Sequence, residues 1–194
     1  MALALKNISV ELREISLKNR PDALLNISPK GTVPVLYINQ NTILEESMDI
    51  IKWTLVNESV LYIKARDKQN TMIDRNDNDF KYWLDRYKYY DKYPDKDKEH
   101  YRNMFSDIVM GYNEILEQQK YLVSNDIQIA DIALFPFIRQ FANVDKIWFE
   151  KTFDNIAIWL DRIMQSKLYI SVMDKYPLWD ELSPKIITNF KTNE

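Results

Sequence analysis

Up to about residue 44, polar and apolar positions alternate in short runs that are typical of strands and turns. Ile8–Ile15 begins with the period of a half-buried strand, because every second residue there is apolar. Pro21 lies where the first turn of a short helix tolerates proline. Two further strands are predicted at Val35–Ile38 and Thr42–Leu44, separated by a turn-prone Asn-Gln-Asn step. This part of the chain is therefore predicted to be a small α/β region.

From Glu46 onward the apolar residues recur at the spacing of helices. The stretch Asn57–Thr71 has no clear period and is predicted to be a linker. We therefore expect an α/β domain at residues 1–57 and an all-helical domain at residues 72–182. The longer helices are predicted at Asp95–Leu122, Gln128–Phe141 and Phe149–Met164, and a shorter helix is predicted at Tyr169–Tyr176. The residues from Ser183 onward are predicted to form a polar tail.

The composition excludes several classes of site within these 194 residues. They contain no cysteine, which rules out a disulfide, a thiolate metal site and a thiol nucleophile. The 2 glycines are too few for a glycine-rich phosphate loop, and the single histidine, His100, excludes a two-histidine metal site. The net charge of -3 does not favour a nucleic-acid partner. Because no apolar run approaches the ~20 residues of a membrane span, we expect no membrane partner and a cytoplasmic location.

The most informative stretch is Ser28–Leu36, with the sequence SPKGTVPVL. Its Val33-Pro34 step opens a predicted strand, where a proline can take the cis peptide form that marks tight turns. A trans proline at the start of a strand is the common alternative. Further along, Glu45–Ser47 begins a helix, and a helix start attracts carboxylates through its free N–H groups and partial positive charge. Ordinary N-capping also explains such residues.

These two motifs, followed by a helical half, resemble the glutathione-binding half of the thioredoxin-like domain in the bacterial glutathione S-transferase family. The resemblance extends from Ser9 to about Trp179. It implies an α/β plus all-α fold, in which a truncated thioredoxin-like domain is followed by a helical bundle domain.

The resemblance also implies a glutathione site, with glutathione as co-substrate and no metal. In the family the proline at the position of Pro34 is cis, and it presents the backbone N–H and C=O of the residue before it, here Val33, to the cysteinyl part of glutathione. The hydroxyl and N–H of Ser47 take the γ-glutamyl carboxylate, and the Glu46 carboxylate pairs with the ammonium group of the ligand. Lys30 is the candidate for the glycyl carboxylate, and the alternative is an ordinary solvated lysine.

The start of the chain departs from the family pattern. Met1–Asn7 looks like the last turns of a helix, so the family's first strand and active-site loop are expected to be absent, and no catalytic residue is assigned in this chain. In the family that strand lies inside the sheet, between the strands predicted at Ile8–Ile15 and Val35–Ile38. Its absence leaves backbone groups unpaired. We therefore expect a frayed or rearranged first domain and a sound helical domain.

Two other motifs are assigned mainly to folding. Asp131 matches the family's capping box in the central helix, where Gln128 replaces the usual Ser or Thr. We expect that Asp126 caps this helix instead, or that its start is less well fixed. Pro136 is expected to kink or locally break the helix. The aromatic stretch Tyr82–Tyr90 is interpreted as core packing with surface tyrosines or as a wall of the family's electrophile pocket, and nearby aspartates argue against binding of single-stranded nucleic acid.

The leading hypothesis is a glutathione S-transferase-like protein. We expect its complete form to be a homodimeric enzyme that conjugates glutathione to an electrophile or uses it for thiol–disulfide reduction. The alternative is a non-catalytic interaction or regulatory protein that uses the transferase fold. Binding of glutathione without turnover would favour the alternative.

Overall fold

In the computed structural model of the chain, residues 1–55 and 65–190 are described. They belong to two compact units, Met1–Glu58 with Gln165–Glu194, and Ser59–Met164. The limits differ from the predicted domains, because residues 165–182 cluster with the first unit. The predicted linker at 57–71 lies partly outside the described residues, and its described part is helical from Arg66 onward.

The first unit is built from short helices and strands. Its opening residues form a single helical turn, as their sequence predicts. The helices are α1 (Ala2–Leu5), α2 (Asp22–Ile27), α3 (Ser47–Leu55) and α10 (Lys167–Ile170), and the strands are β1 (Val10–Leu12), β2 (Leu36–Asn39), β3 (Thr42–Leu44) and β4 (Ile186–Thr188). The helix predicted at Tyr169–Tyr176 is instead α10, because the hydroxyl of Ser166 accepts a hydrogen bond from the N–H of Tyr169 and so fixes an earlier start.

The strands of the first unit form two separate pairs within the described residues. β2 and β3 make an antiparallel hairpin in which Leu36 lies opposite Leu44. β1 pairs antiparallel with β4, so that Val10 lies opposite Thr188. The prediction of a polar tail from Ser183 onward is therefore wrong. The C-terminal segment supplies a strand, because the backbone groups of β1 need hydrogen-bond partners.

The second unit is helical. Its helices are α4 (Arg66–Arg75), α5 (Lys81–Lys88), α6 (Lys98–Gln118), α7 (Ile129–Val144), α8 (Lys146–Thr152) and α9 (Asp154–Met164), with a π-helical turn at Asn76–Phe80 and a 3₁₀ turn at Tyr90–Lys92. α6 begins at Lys98 and not at Asp95, because the carboxylate of Asp97 accepts a hydrogen bond from the N–H of His100 at 2.7 Å. α7 runs through Pro136 as one helix.

The predicted helix Phe149–Met164 is two helices in the structure, divided at Phe153. Phe153 is fully buried and ends α8. α9 then begins against α6, where the side-chain oxygen of Asn113 accepts a hydrogen bond from the N–H of Ile156 at 3.0 Å. A side chain from another helix thus satisfies a backbone donor at the start of α9, which allows the chain to change direction.

Asp131 fixes the start of α7 and is fully buried. Its Oδ2 accepts a hydrogen bond from the N–H of Gln128 at 2.8 Å, and its Oδ1 accepts from the N–H of Leu122 and from Nε1 of Trp159, both at 2.9 Å. Burial raises the pKa of the Asp131 carboxyl, and these donors act in the opposite direction. The Asp131 carboxylate thus bonds back to the N–H of Gln128, and Oε1 of Gln69 accepts a hydrogen bond from the N–H of Ala130 at 3.1 Å. The start of α7 is fixed by these contacts, so the expectation of a replacement cap at Asp126 or a loosely fixed start is wrong.

Within residues 1–55 and 65–190, no helix is both long enough and apolar enough to cross a bilayer.

Candidate functional site

The β2–β3 hairpin brings the two candidate motifs to the same end of one element. Leu36 and Leu44 lie opposite each other at its open end. Pro34 comes two residues before Leu36, and Glu46 comes two residues after Leu44, so both lie just outside the hairpin at its open end. Ser47 then begins α3, whose N-terminus follows the same end of the hairpin.

The peptide bond between Val33 and Pro34 is cis, as the resemblance implies. Val33 is 46% exposed and lies in the loop before β2. A backbone N–H and C=O in an accessible loop of this kind can pair with an extended peptide as an added strand does. The loop therefore offers main-chain recognition at one side of the hairpin end.

A tight turn at Ser28–Gly31 precedes this loop. The N–H of Gly31 donates to the carbonyl oxygen of Ser28 at 2.9 Å, and Gly31 has φ +60, a conformation that glycine adopts without strain. Pro29 takes the second position of the turn, which suits its fixed φ. Ser28 is fully buried, and its Oγ donates to Oε1 of Glu45 at 2.6 Å. The turn is thus joined to the segment that leads into α3.

Lys30 lies beside the two acidic residues that precede α3. Its Nζ is 3.9 Å from Oε2 of Glu45 and 3.7 Å from Oε1 of Glu46. The side chains of Lys30 and Glu46 are 59% and 67% exposed, so the ion pair between them is weak. The structure therefore brings Lys30 and Glu46 together in a pair that charged groups of a ligand could replace.

The N-terminus of α3 offers hydrogen-bond donors at the same place. Its first helical hydrogen bond runs from the N–H of Ile50 to the carbonyl oxygen of Glu46 at 3.1 Å. The N–H groups of Ser47, Met48 and Asp49 therefore have no partner within the helix. These donors and the exposed Ser47 hydroxyl suit a carboxylate, and the Glu46 side chain suits a neighbouring ammonium.

Three residues that shape this loop were not predicted as site residues. They are Ser28 and Glu45, which join the turn to the start of α3, and Arg20, whose Nε donates to the carbonyl oxygen of Gly31 at 2.7 Å. Both contacts join positions more than ten residues apart, for which a local sequence pattern gives no signal. The acidic run before a predicted helix was the one hint, and it pointed equally to Glu45 and Glu46.

The aromatic stretch Tyr82–Tyr90 belongs to the second unit and divides between core and surface. Tyr87 is buried, whereas Tyr82 is 48% exposed. The guanidinium carbon of Arg86 lies 3.5 Å from the ring centre of Tyr82 and 4.7 Å from that of Tyr93. This arrangement is that of core packing with cation–π contacts at the surface. In the part of the chain that the structure describes, no group of His, Asp and Glu side chains is arranged to hold a metal ion.

Two protein-family models match the chain. Residues 1–59 match the N-terminal domain of glutathione S-transferases, and residues 59–167 match the C-terminal domain. Among the curated proteins, none matches this chain.

Solved structures with the same fold include several glutathione S-transferases. A possible transferase from Rhodopseudomonas palustris is 20% identical with a TM-score of 0.70, over 93% of this chain and 86% of its own. A transferase from Pseudomonas fluorescens is 19% identical with a TM-score of 0.66, over 89% and 90% of the two chains. A transferase from Phanerochaete chrysosporium in complex with oxidized glutathione is 18% identical with a TM-score of 0.68, over 88% and 86%. At these identities the likeness concerns the fold.

Proposed function

The chain belongs to the glutathione S-transferase family, and from this premise we propose that it binds glutathione at the open end of the β2–β3 hairpin. The observation that supports the proposal is the meeting of a cis Val33-Pro34 step and the N-terminus of α3 at that one end. Glutathione carries an amino-acid head group and a peptide backbone, and these two features offer the matching chemistry.

In this proposal the γ-glutamyl group lies at the start of α3. Its carboxylate accepts hydrogen bonds from the hydroxyl and N–H of Ser47, and its ammonium pairs with the Glu46 carboxylate. Lys30 exchanges its weak ion pair with Glu46 for the glycyl carboxylate of the ligand. The cysteinyl residue pairs through its backbone with Val33, as an added strand would.

The resemblance implies two reactions for glutathione bound in this way, which are conjugation of its thiolate to an electrophile and reduction of a disulfide. These 194 residues contain no cysteine, so in either reaction they leave the thiol to glutathione. The transferase from Phanerochaete chrysosporium has the same fold and holds oxidized glutathione, which supports a glutathione site on this fold. The resemblance further implies a homodimer that forms through α3 and the helix after it.

Calorimetric titration with glutathione tests the proposed site. Ser47→Ala should raise the Kd by about tenfold or more, because a hydrogen bond to a charged group contributes roughly 1.5–3 kcal/mol. Glu46→Gln should raise the Kd in the same direction through loss of the ammonium contact. Ser9→Ala, which changes an exposed serine in the same unit, should leave the Kd unchanged.

A truncated ligand locates the contact. Cysteinylglycine lacks the γ-glutamyl group, so Ser47→Ala should not alter whatever affinity the protein has for it. If the wild-type protein does not bind glutathione, or if Ser47→Ala weakens both ligands equally, the γ-glutamyl group does not lie at α3 and the proposed site is wrong.

A further inference from the structure

The C-terminal segment Leu178–Thr188, called here the strap, lies along the strand that precedes the candidate site. Its last residues form β4, which pairs with β1. Side chains reinforce the pairing, since Nζ of Lys185 lies 3.3 Å from Oε2 of Glu11 and the amide of Asn189, just beyond the strap, donates to Asn7 at 2.9 Å. The strap is thus joined to β1 along the whole length of that strand.

Trp179 joins the other end of the strap to the residues that follow β1. Its N–H donates to the carbonyl oxygen of Glu14 at 2.7 Å. Its ring lies 4.6 Å from the guanidinium carbon of Arg13, a distance at which cations and aromatic rings attract each other. The backbone at Glu14 is therefore fixed by the strap and not only by its own neighbours in sequence.

A short turn at residues 16–19 connects the backbone near Glu14 with Arg20. The N–H of Asn19 donates to the carbonyl oxygen of Ser16 at 3.1 Å, and the N–H of Lys18 donates to the Ser16 hydroxyl at 3.3 Å. Arg20 follows directly, and with Trp179 it lines one cavity of about 420 Å³. Residues of the strap and Arg20 thus line the same cavity.

Arg20 makes the last connection, to the turn that precedes Val33. Its Nε donates to the carbonyl oxygen of Gly31 at 2.7 Å. A β-carbon built on Gly31 would lie 2.8 Å from Cδ of Arg20, so the arginine side chain packs against the turn as well as bonding to it. Gly31 is two residues from Val33, whose backbone is the proposed contact for the cysteinyl part of glutathione.

We propose that Arg20 is a positioning residue for the Gly31–Pro34 loop, and that the strap holds Arg20 in place through Trp179 and Glu14. The inference rests on the proposed function, because it explains how the chain fixes the loop that receives the cysteinyl backbone. A ligand that pairs with a backbone segment binds more tightly when that segment is fixed in advance. Glutathione affinity should therefore depend on side chains that do not touch glutathione.

The first test is the Kd for glutathione in Arg20→Ala and Arg20→Lys. We expect Arg20→Ala to raise the Kd by about threefold to tenfold, the size of one lost hydrogen bond. Arg20→Lys should not restore affinity, because lysine keeps the charge and lacks the planar donor group of arginine. Lys18→Ala removes an exposed cation from the same turn and should leave the Kd unchanged. A merely structural role would lower the melting temperature and leave the Kd of the folded protein unchanged.

The second test asks whether the strap acts through Arg20. Trp179→Ala should raise the Kd in the wild-type background and have no further effect in the Arg20→Ala background. Leu182→Ala changes a strap residue that is 97% exposed and serves as the control. If the effects of Trp179→Ala and Arg20→Ala on the binding free energy are additive, the strap does not act through Arg20.

A readout without ligand separates this inference from the proposed function. The Gly31 amide donates to Ser28 inside the turn, so its hydrogen exchange reports how firmly the turn is held. Exchange at Gly31 should become faster in both Arg20→Lys and Trp179→Ala. If the wild-type protein does not bind glutathione, the proposed function fails while this measurement still decides the role of Arg20. Unchanged exchange at Gly31 in both variants would overturn the inference.

Discussion

In the second unit the stabilising contacts are mainly apolar and aromatic. The ring of Phe141 alone packs against those of Phe80, Tyr87, Phe105, Trp148, Phe149 and Phe153. In the described part of the first unit, the buried hydrophobic side chains are those of Ala2, Ile50 and Ile51. There, strand pairing, the hydrogen bond from Ser28 to Glu45 and the Arg20–Gly31 contact define the local structure.

This difference shows that the contacts that stabilise the protein most are not the contacts that shape the candidate site. Burial of large apolar side chains contributes most of the free energy of folding, whereas a single hydrogen bond adds only about 1 kcal/mol net. The first unit therefore carries the candidate site on a framework with little hydrophobic stabilisation of its own. Hydrogen bonds are directional, however, so they can fix the geometry of a loop that a ligand must match.

The largest expected difference between the units is in hydrogen exchange. Amides of the β2–β3 hairpin and of β1 should exchange at least about 100-fold faster than those of α7, because few buried apolar contacts oppose local opening there. Exchange measured by mass spectrometry on the intact protein at one pH and temperature gives this ratio directly.

Limited proteolysis provides an independent check of the same contrast. Cleavage should begin in the first unit and leave the α6–α9 region intact. Equal protection of the hairpin and of α7, together with equal resistance to protease, would show that the two units open as one cooperative structure.

In the second unit, the single polar change with the largest expected effect is at Asp131. Asp131→Asn keeps an oxygen for the N–H of Leu122 and for Trp159, and it places an NH₂ group opposite the N–H of Gln128. A buried donor without an acceptor costs about 1–3 kcal/mol, so the free energy of unfolding should fall by about that amount. Urea unfolding followed by circular dichroism measures the change.

Asp126→Ala is the matched control for Asp131→Asn. Asp126 is exposed, and its side chain was the alternative cap predicted from the sequence. If Asp126→Ala destabilises the protein as much as Asp131→Asn does, the hydrogen bonds of the Asp131 carboxylate are not what holds the start of α7.

Local sequence patterns predicted the hairpin, whereas the cis form of Pro34 was implied by the family resemblance. The short runs Val35–Ile38 and Thr42–Leu44 on either side of a turn-prone step place the strands of the hairpin within a residue of their observed limits. The start of α3 after the acidic pair Glu45 and Glu46 was also predicted from local sequence. These features depend on neighbours within a few positions, so one sequence contains the signal for them.

Long-range partners could not be predicted in this way. β4 is a three-residue strand in a polar segment, and it forms because β1 lies beside it, more than 170 residues earlier in the chain. The division at Phe153 depends on Asn113 from α6, while the apolar face of the predicted helix continues through that point. Arg20 and Glu45 belong to the candidate site because Arg20 contacts Gly31 and Glu45 contacts Ser28. No periodicity of the sequence indicates these two contacts.

The two glycines should respond in opposite directions to alanine. Gly31→Ala should destabilise the first unit by about 1–2 kcal/mol, because an alanine at φ +60 is strained. Its β-carbon would also lie 2.8 Å from Cδ of Arg20 and 3.0 Å from Cδ2 of Leu25. Gly111→Ala should stabilise α6 by about 0.5–1 kcal/mol, because apart from the adjoining residues and the backbone of α6 itself no atom lies within 4 Å of the added carbon, and alanine favours the helix.

The glycine pair needs a probe that distinguishes the units. Hydrogen exchange of the hairpin should respond to Gly31→Ala, and exchange of α6 should respond to Gly111→Ala. A neutral Gly31→Ala would mean that the turn relaxes without loss, and the fixed loop proposed for the cysteinyl contact would then lose its support.

The smallest expected effect is at a buried hydroxyl of the second unit, where a polar atom adds no stability. Tyr112 is buried, and its hydroxyl has no hydrogen-bond partner among the described residues, and burial raises its pKa to about 12. Tyr112→Phe should therefore leave the free energy of unfolding unchanged or raise it by up to about 1 kcal/mol.

The corresponding change at Tyr101, also in α6, should have the opposite sign, because the hydroxyl of Tyr101 donates to the carbonyl oxygen of Tyr93 at 3.0 Å. Tyr101→Phe should lower the free energy of unfolding by about 1 kcal/mol. Both changes are measured by urea unfolding, and a clear loss of stability in Tyr112→Phe would contradict the view that apolar packing alone fixes this side chain.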